Sequence, residues 1–117
     1  MPLIELDTSC DLGDTGKRQT LVADLSRLVA EGTGKPEQYV MACVRDRVAM
    51  LMSGGAGPCA LVMIKGIGGL NKAVNQGLAG KVTQMLQKEL AILGDRVYVT
   101  FQELAPSHWA CNGKTFG

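Results

Sequence analysis

The hydrophobic pattern of the chain divides into two rounds of strand, helix and strand. In the first round, apolar residues run through residues 2–7, recur at helical spacing over residues 17–30, and run again through residues 39–44. Runs of apolar residues favour strands, whereas apolar residues repeated every three or four positions favour a helix with one buried face. Gly32 and Gly34 are predicted to end this helix, because glycine accepts the left-handed backbone that often follows one.

The second round repeats this order. Residues 58–64 and 97–101 are predicted strands. Gly94-Asp95 is expected to close the helix between them, whose apolar face consists of Val74, Leu78, Val82, Met85 and Leu86.

Two β-α-β units in a short chain predict one fold. We expect an α/β protein of the α+β type, in which a four-stranded mixed sheet carries both helices on one face, as a single domain over residues 1–117. When the two halves are aligned by the order of their elements, Pro2 matches Pro58 and Tyr39 matches Tyr98.

The third predicted strand adds an expectation about assembly. Residues 59–64 are apolar at consecutive positions, which favours burial of both faces of the sheet. Because the helices cover only one face, self-association is expected to cover the other.

Composition and charge exclude several classes of function. The 117 residues include 12 Lys and Arg and 11 Asp and Glu, a formal net charge of +1, which gives no broad attraction to nucleic acid or to an anionic membrane. The start has no signal-peptide pattern and no segment has the length of a membrane span, so a cytoplasmic location is expected. The four scattered cysteines are then expected to be reduced and mostly buried or pocket-lining.

The candidate catalytic residues are few. His108 is the only histidine, no GxSxG motif is present, and no second ligand pair accompanies it at zinc spacing, so neither a hydrolase triad nor a metal site is expected. The glycine-rich turn at residues 65–69 matches neither GxGxxG nor the P-loop, so no nucleotide cofactor is expected.

Pro2 is the residue with the clearest chemical potential. Removal of Met1, which a small second residue permits, leaves a secondary amine at the start of a strand. An ordinary α-amino group titrates near ~8. Burial and a nearby cation such as Lys35 would lower its pKa toward neutrality, and an amine poised there is a competent general base.

Six segments carry a family resemblance that runs nearly from end to end. The chain resembles the macrophage migration inhibitory factor and D-dopachrome tautomerase family at residues 1–4 (MPLI), 33–39 (TGKPEQY), 58–61 (PCAL), 67–69 (IGG), 95–99 (DRVYV) and 109–116. The resemblance implies a trimer of β-α-β-β-α-β subunits. It also implies cofactor-independent tautomerisation of phenylpyruvate-like enols or dopachrome-like substrates.

The resemblance also assigns roles to residues. It implies that Pro2 is the catalytic base, that Lys35 binds the substrate carboxylate and that the backbone of Ile67 assists it. Tyr98 would reach in from a neighbouring subunit. The walls of an apolar pocket would be formed by Tyr39, Leu3 and Phe116.

Three positions depart from the family pattern. Thr100 stands where the family often has a substrate-binding asparagine, which alters how substrate is positioned. Cys111 stands in place of a tryptophan at the pocket rim, with Trp109 two residues earlier. Cys59 lacks the second cysteine of the CxxC motif of some relatives, which argues against thiol–disulfide exchange.

The sequence leaves two other functions open. One is a cytokine-like binding protein whose catalytic pocket is vestigial, with a receptor that the sequence does not identify. The other is decarboxylation or dehalogenation on the same scaffold, which would need arginines near the base. None of the five arginines has an assignable place in the pocket: Arg18, Arg27, Arg45, Arg47 and Arg96.

Overall fold

A computed structural model of residues 1–117 describes the whole chain apart from the side chain of Thr15. Its main elements follow the order β1 (Leu3–Thr8), α1 (Thr15–Thr33), β2 (Met41–Arg45), β3 (Ala60–Gly66), α2 (Lys72–Leu90) and β4 (Val97–Glu103). A hairpin of two short strands, which the hydrophobic pattern does not predict, follows as β5 (Ala110–Cys111) and β6 (Lys114–Thr115).

The four long strands form one mixed sheet in the order β2-β1-β3-β4. β1 is parallel to β2 and antiparallel to β3, and β3 is parallel to β4. The predicted four-stranded mixed sheet is therefore confirmed.

Both helices cover the same face of this sheet. Alternate residues of β1 and β3 point into a single core against the apolar stripes of α1 and α2. The fully or almost fully buried members of this core are Ile4, Leu6, Val62, Ile64, Leu21, Leu25, Val29, Leu78, Val82 and Leu86. The predicted placement of the helices is confirmed.

The predicted helix ends are confirmed at Gly34 but not at Gly32 or Gly94. Helix α1 continues through Gly32 to Thr33 and is capped by Gly34, whose φ is 71°. Helix α2 ends at Ala91, which adopts a left-handed φ of 56°, and not at Gly94. Neither helix is long and apolar enough to cross a membrane.

Gly32 lies where the two helices approach each other closely. A Cβ atom on Gly32 would lie 2.3 Å from Cδ2 of Leu78, which is itself buried. Glycine at this position therefore permits the packing of α1 on α2 and does not mark the helix end.

The two β-α-β halves are equivalent, but the predicted residue matches are wrong by two positions. The N–H of Val40 donates to the carbonyl of Glu37, as that of Val97 does to the carbonyl of Gly94. The strand pairs Leu3–Met41 and Leu61–Tyr98 then correspond. Met41 and Ala60 are thus the equivalents of Tyr98 and Pro2, because the order of elements does not determine the register of the strands.

The face of the sheet opposite the helices, the open face, is more mixed than the apolar third strand suggests. Leu61 and Met63 of β3 lie on it and are half-buried. On the neighbouring strands the Arg45 guanidinium donates to the carboxylates of Glu5 and Asp7. The open face therefore combines the apolar side chains of β3 with charged side chains of β1 and β2.

Candidate functional site

Pro2 immediately precedes β1, the strand that lies between β2 and β3. It is buried, and its carbonyl oxygen accepts a hydrogen bond of 3.1 Å from the N–H of Met41. This contact extends the β1–β2 ladder by one residue. The position of the Pro2 ring is therefore determined by the sheet.

Lys35 lies beside Pro2. The left-handed Gly34 turns the chain out of α1, and the N–H of Lys35 then donates to the Thr33 hydroxyl at 3.3 Å. The resulting Lys35 cleft is lined by Met1, Pro2, Thr33, Lys35, Lys65, Gly66, Gly68 and Leu70, and is too narrow to admit a water molecule while Met1 is present.

A glycine turn forms the far wall of the Lys35 cleft. Gly69 has a φ of 84°, and a Cβ atom there would lie 3.1 Å from Cε of Lys35, so the lysine stem packs along bare backbone. Glu103 anchors the turn, because its carboxylate accepts the N–H of Leu70 at 3.2 Å. Ile67 lies in this turn between the two glycines that line the cleft, Gly66 and Gly68.

An apolar cavity of about 530 Å³ opens on the other side of Pro2. The hairpin closes one wall of it, held by the N–H of Phe116, which donates to the carbonyl of Trp109 at 3.0 Å. The cavity is lined by Met1, Pro2, Leu3, Tyr39, Met41, Trp109, Ala110, Cys111 and Phe116. Met1 and Pro2 therefore belong both to this apolar cavity and to the Lys35 cleft.

The electrostatic environment of this region disfavours a protonated amine. The pKa of the terminal amine, which in this chain belongs to Met1, lies below its usual 8.0, mainly because burial removes it from water and secondly because of the positive charge of Lys35. Both causes act at the end of the chain where Pro2 lies.

Tyr98 and Thr100 lie elsewhere. Tyr98 pairs with Leu61, four residues along β3 from Lys65, the partner of Leu3. At the rise of a strand this separation is about 13 Å. Thr100 pairs with Met63 and lines neither the Lys35 cleft nor the apolar cavity.

Tyr98 belongs to a separate surface. Its side chain is 66% exposed and lines a cavity of about 310 Å³, the Tyr98 cavity. The other lining residues are Met50, Leu51, Met52, Ser53, Cys59, Ala60 and Leu61. Within one chain, the predicted substrate residues are therefore divided between two places.

Arg96 shapes the loop that carries part of this surface. Its guanidinium donates to the carbonyl oxygens of Pro58 at 2.9 Å and Met52 at 3.2 Å. It also donates to Gly55 at 2.9 Å and Gly57 at 3.0 Å. One side chain thus fixes residues 52–58.

The other four arginines are paired with carboxylates. Arg18 and Arg47 contact Asp46, Arg27 contacts Asp24, and Arg45 contacts Glu5 and Asp7. All five arginine side chains lie in the described part of the chain, and none of them lines the Lys35 cleft or the apolar cavity.

The cysteines and the histidine are the remaining candidate groups. All four cysteines are free thiols; Cys59 is buried, and Cys111 is exposed at the edge of the apolar cavity. Nδ1 of His108 lies 3.2 Å from the Ser107 hydroxyl. Among the side chains that the structure describes, no three His, Cys, Asp or Glu residues cluster as metal ligands would.

Sequence reasoning misses two residues of this region, Lys65 and Met41. Each is a direct cross-strand neighbour of Leu3, Lys65 on β3 and Met41 on β2. The alternation along β3 could have placed Lys65 on the face of Leu61 and Met63, but only the strand register brings it beside Pro2.

Comparisons with known proteins agree on one relationship. The family model described as macrophage migration inhibitory factor (MIF) matches residues 1–117. A macrophage migration inhibitory factor homolog of Brugia malayi is 35% identical over 117 residues, all of both chains. The factor of Xenopus tropicalis is 32% identical over 97 residues, which cover 83% of this chain and 84% of that one.

A solved structure extends the agreement to the fold. The crystal structure of a macrophage migration inhibitory factor homologue from Prochlorococcus marinus superimposes with a TM-score of 0.91 at 34% identity. The superposition covers 98% of this chain and 99% of that one.

Proposed function

Because the chain belongs to the macrophage migration inhibitory factor family, we propose that it is a cofactor-independent keto–enol tautomerase whose base is the Pro2 nitrogen, freed by removal of Met1. Its substrates are phenylpyruvate-like enols or dopachrome-like compounds. The observation that carries the proposal is the burial of Pro2 between the Lys35 cleft and the apolar cavity.

Removal of Met1 has two consequences for this site. It converts the Pro2 nitrogen from a tertiary amide, which cannot accept a proton, into a secondary amine. It also removes a side chain that lines both the cleft and the cavity, which should open space around that amine. The chain without Met1, the processed chain, is therefore the form expected to be active.

The proposed reaction moves one proton. The Pro2 nitrogen accepts the enol hydroxyl proton, the oxygen forms the carbonyl, and the former C=C electron pair takes the proton back at carbon. Lys35 and the Ile67 backbone bind the substrate carboxylate. Water is excluded from the reacting atoms by the apolar side chains of Leu3, Tyr39 and Phe116.

The decisive test is ketonisation of phenylpyruvate enol by the processed chain and by its Pro2→Gly variant. Loss of a positioned general base is expected to lower kcat/KM by about 100-fold or more. Pro58→Gly is the matched control, because Pro58 lies outside both spaces around Pro2. Equal rates for wild type and Pro2→Gly would refute the base, and an inactive wild type of confirmed processing would favour the cytokine-like binding role.

We further propose that a homotrimer completes the site, with Tyr98 and Thr100 of one subunit facing the Pro2 region of the next. This would explain why Tyr98 lies about 13 Å from the Pro2 end of the sheet within its own chain. It would also cover the exposed side chains of Tyr98 and Leu51, which are 66% and 71% exposed.

Mixed assemblies test this arrangement. Pro2→Gly and Tyr98→Ala chains should each be weakly active alone, and mixing them through dissociation and reassembly should restore part of the activity. Restoration is expected because some interfaces then combine an intact Pro2 with an intact Tyr98. A monomer by light scattering, or no gain on mixing, would contradict a shared site.

A further inference from the structure

Lys65 is a second lysine at the Pro2 end of the sheet, and it approaches from a different side than Lys35. Lys35 follows α1, whereas Lys65 lies on β3 opposite Leu3, the residue after Pro2. Both lysines line the Lys35 cleft together with Pro2. Pro2 thus shares one cleft with two cationic side chains from separate parts of the chain.

The burial of these two lysines distinguishes them from the other five. Lys35 and Lys65 are half-buried, whereas the remaining lysines are exposed: Lys17, Lys72, Lys81, Lys88 and Lys114. The two lysines that are partly withdrawn from water are therefore the two beside the proposed base. Packing of the apolar stems can account for this burial. An accompanying anion would still stabilise the charged ends of these two side chains.

The protein itself supplies no such anion in the part whose side chains are described. The ion pairs within 4.0 Å there all involve arginines. Glu103, opposite Gly66 on β4, has one carboxylate oxygen on the N–H of Leu70. Two cations that line one cleft without a protein carboxylate form a site suited to a ligand with two negative charges.

Lys65 also connects the cleft to further space. A cavity of about 260 Å³, the Trp109 cavity, lies on the other side of Lys65 and is lined by Leu3, Lys65, Leu104, His108, Trp109 and Ala110. A substrate held by one carboxylate at Lys35 can therefore extend past Pro2 toward a second cationic group. Its carbon chain would contact Leu3, which lines both this cavity and the apolar cavity.

We propose that Lys65 forms a second anion subsite, and that the enols processed at Pro2 include those of 2-oxo acids with two carboxylates. This inference rests on the proposed tautomerase function and narrows its substrate class. The proton transfer is unchanged, since the second carboxylate contributes binding and forms or breaks no bond.

The test compares the enols of oxaloacetate, a dicarboxylate, and phenylpyruvate, a monocarboxylate, as substrates of the processed chain. Lys65→Met is expected to raise KM for oxaloacetate enol by about 10-fold, the loss of one charge-assisted contact. The same variant should change kcat for oxaloacetate enol and KM for phenylpyruvate enol by less than about 3-fold. Lys72→Met, which removes an exposed lysine, is the matched control and should change neither substrate's KM.

Equal KM changes for the two enols, or no change for either, would overturn the subsite. Calorimetric titration with succinate provides a readout that does not depend on catalysis. Wild type should bind succinate about 10-fold more tightly than Lys65→Met, while thermal unfolding shows that both are folded. Succinate affinity that depends on Lys65 in a protein that ketonises neither enol would reject the tautomerase and retain the subsite. Phenylpyruvate turnover with no such dependence would do the reverse.

Discussion

The two β-α-β halves place different chemistry at equivalent points of the same architecture. Both helices have 19 residues, so Gly34 corresponds to Ala91 and Lys35 to Ile92. Pro2 corresponds to Ala60, which is linked to Cys59. The first half therefore has Pro2 and a half-buried lysine where the second has a buried alanine and a fully buried isoleucine.

In the second half the chain continues before Ala60, and hydrogen bonds satisfy the backbone of the preceding residue, Cys59. The carbonyl of Cys59 accepts from the N–H of Ser9 at 3.2 Å and from the Thr8 hydroxyl at 2.9 Å. The N–H of Cys59 donates to the Ser9 hydroxyl at 3.1 Å. Backbone hydrogen bonds thus hold Cys59 in place in the second half, whereas the reactivity proposed for the first half depends on Pro2 becoming a chain terminus beside Lys35.

The largest effect is expected from making the first half resemble the second. Inserting an alanine between Met1 and Pro2 allows Met1 to be removed but leaves the Pro2 nitrogen acylated. Since an amide nitrogen cannot act as the base, kcat/KM for phenylpyruvate enol should fall by about 100-fold or more. Circular dichroism and thermal unfolding should be unchanged, and retained activity would contradict the role of Pro2.

Helix packing gives the next contrast. Gly32→Ala should lower the free energy of unfolding by about 1–3 kcal/mol, because the added methyl overlaps buried Leu78. Gly77→Ala is the control in α2, where a Cβ atom meets nothing within 4 Å. That change should raise stability by about 1 kcal/mol through helix propensity. Urea unfolding of both variants measures the difference, and equal signs would refute the close helix contact.

Lys35 differs from its equivalent Ile92 by its charge, and Lys35→Met removes that difference. KM for phenylpyruvate enol should rise by about 10-fold. Burial and, secondly, the Lys35 cation lower the pKa of the Met1 amine, and we expect both to act on the Pro2 amine of the processed chain. Loss of the Lys35 charge should therefore raise the pKa of that base, although burial, the larger cause, persists. On acidification the base would then become protonated, and the rate would fall, at a higher pH than in wild type. A pH–rate profile checks the direction, with the exposed Lys88→Met as a control that should not shift it.

The smallest effect concerns the helix caps. Ala91 adopts a left-handed φ of 56° where the first half has Gly34 at 71°. Ala91→Gly should therefore stabilise the protein by about 0.5–1 kcal/mol. Ala79→Gly, in the middle of the same helix, should destabilise it by about 1 kcal/mol. Thermal unfolding measures both variants. Stability changes of the same sign would contradict the assignment of Ala91 as the helix cap.

The sequence predicts which segments form helices and strands better than it predicts which residues are neighbours across the sheet. Both helices, the four strands and the mixed sheet follow from hydrophobic period, and the structure confirms them. The strand register does not follow from it, so the order of elements matches Tyr98 with Tyr39 instead of Met41 and does not bring Lys65 beside Pro2. The hairpin strands of two residues each are too short to show a period.

The candidate site shows the same division. The prediction that Lys35 lies near Pro2 agrees with the common cleft they line, and Leu3, Tyr39 and Phe116 do share a cavity with Pro2. Tyr98 and Thr100 lie apart from Pro2 because they belong to β4, two strands away from β1. Their roles, like the cytoplasmic location, stay predictions.

The contacts of Arg96 have a consequence for how the loop at residues 52–58 tolerates change. The guanidinium binds backbone oxygens, which every amino acid possesses, so the loop's path depends little on which side chains it displays. Except at Gly54, whose φ of 72° favours glycine, substitutions there can alter the outward chemistry of the loop while its shape is preserved. Because the Arg96 side chain makes all of these contacts, its replacement would leave all of those carbonyl oxygens without this donor at once.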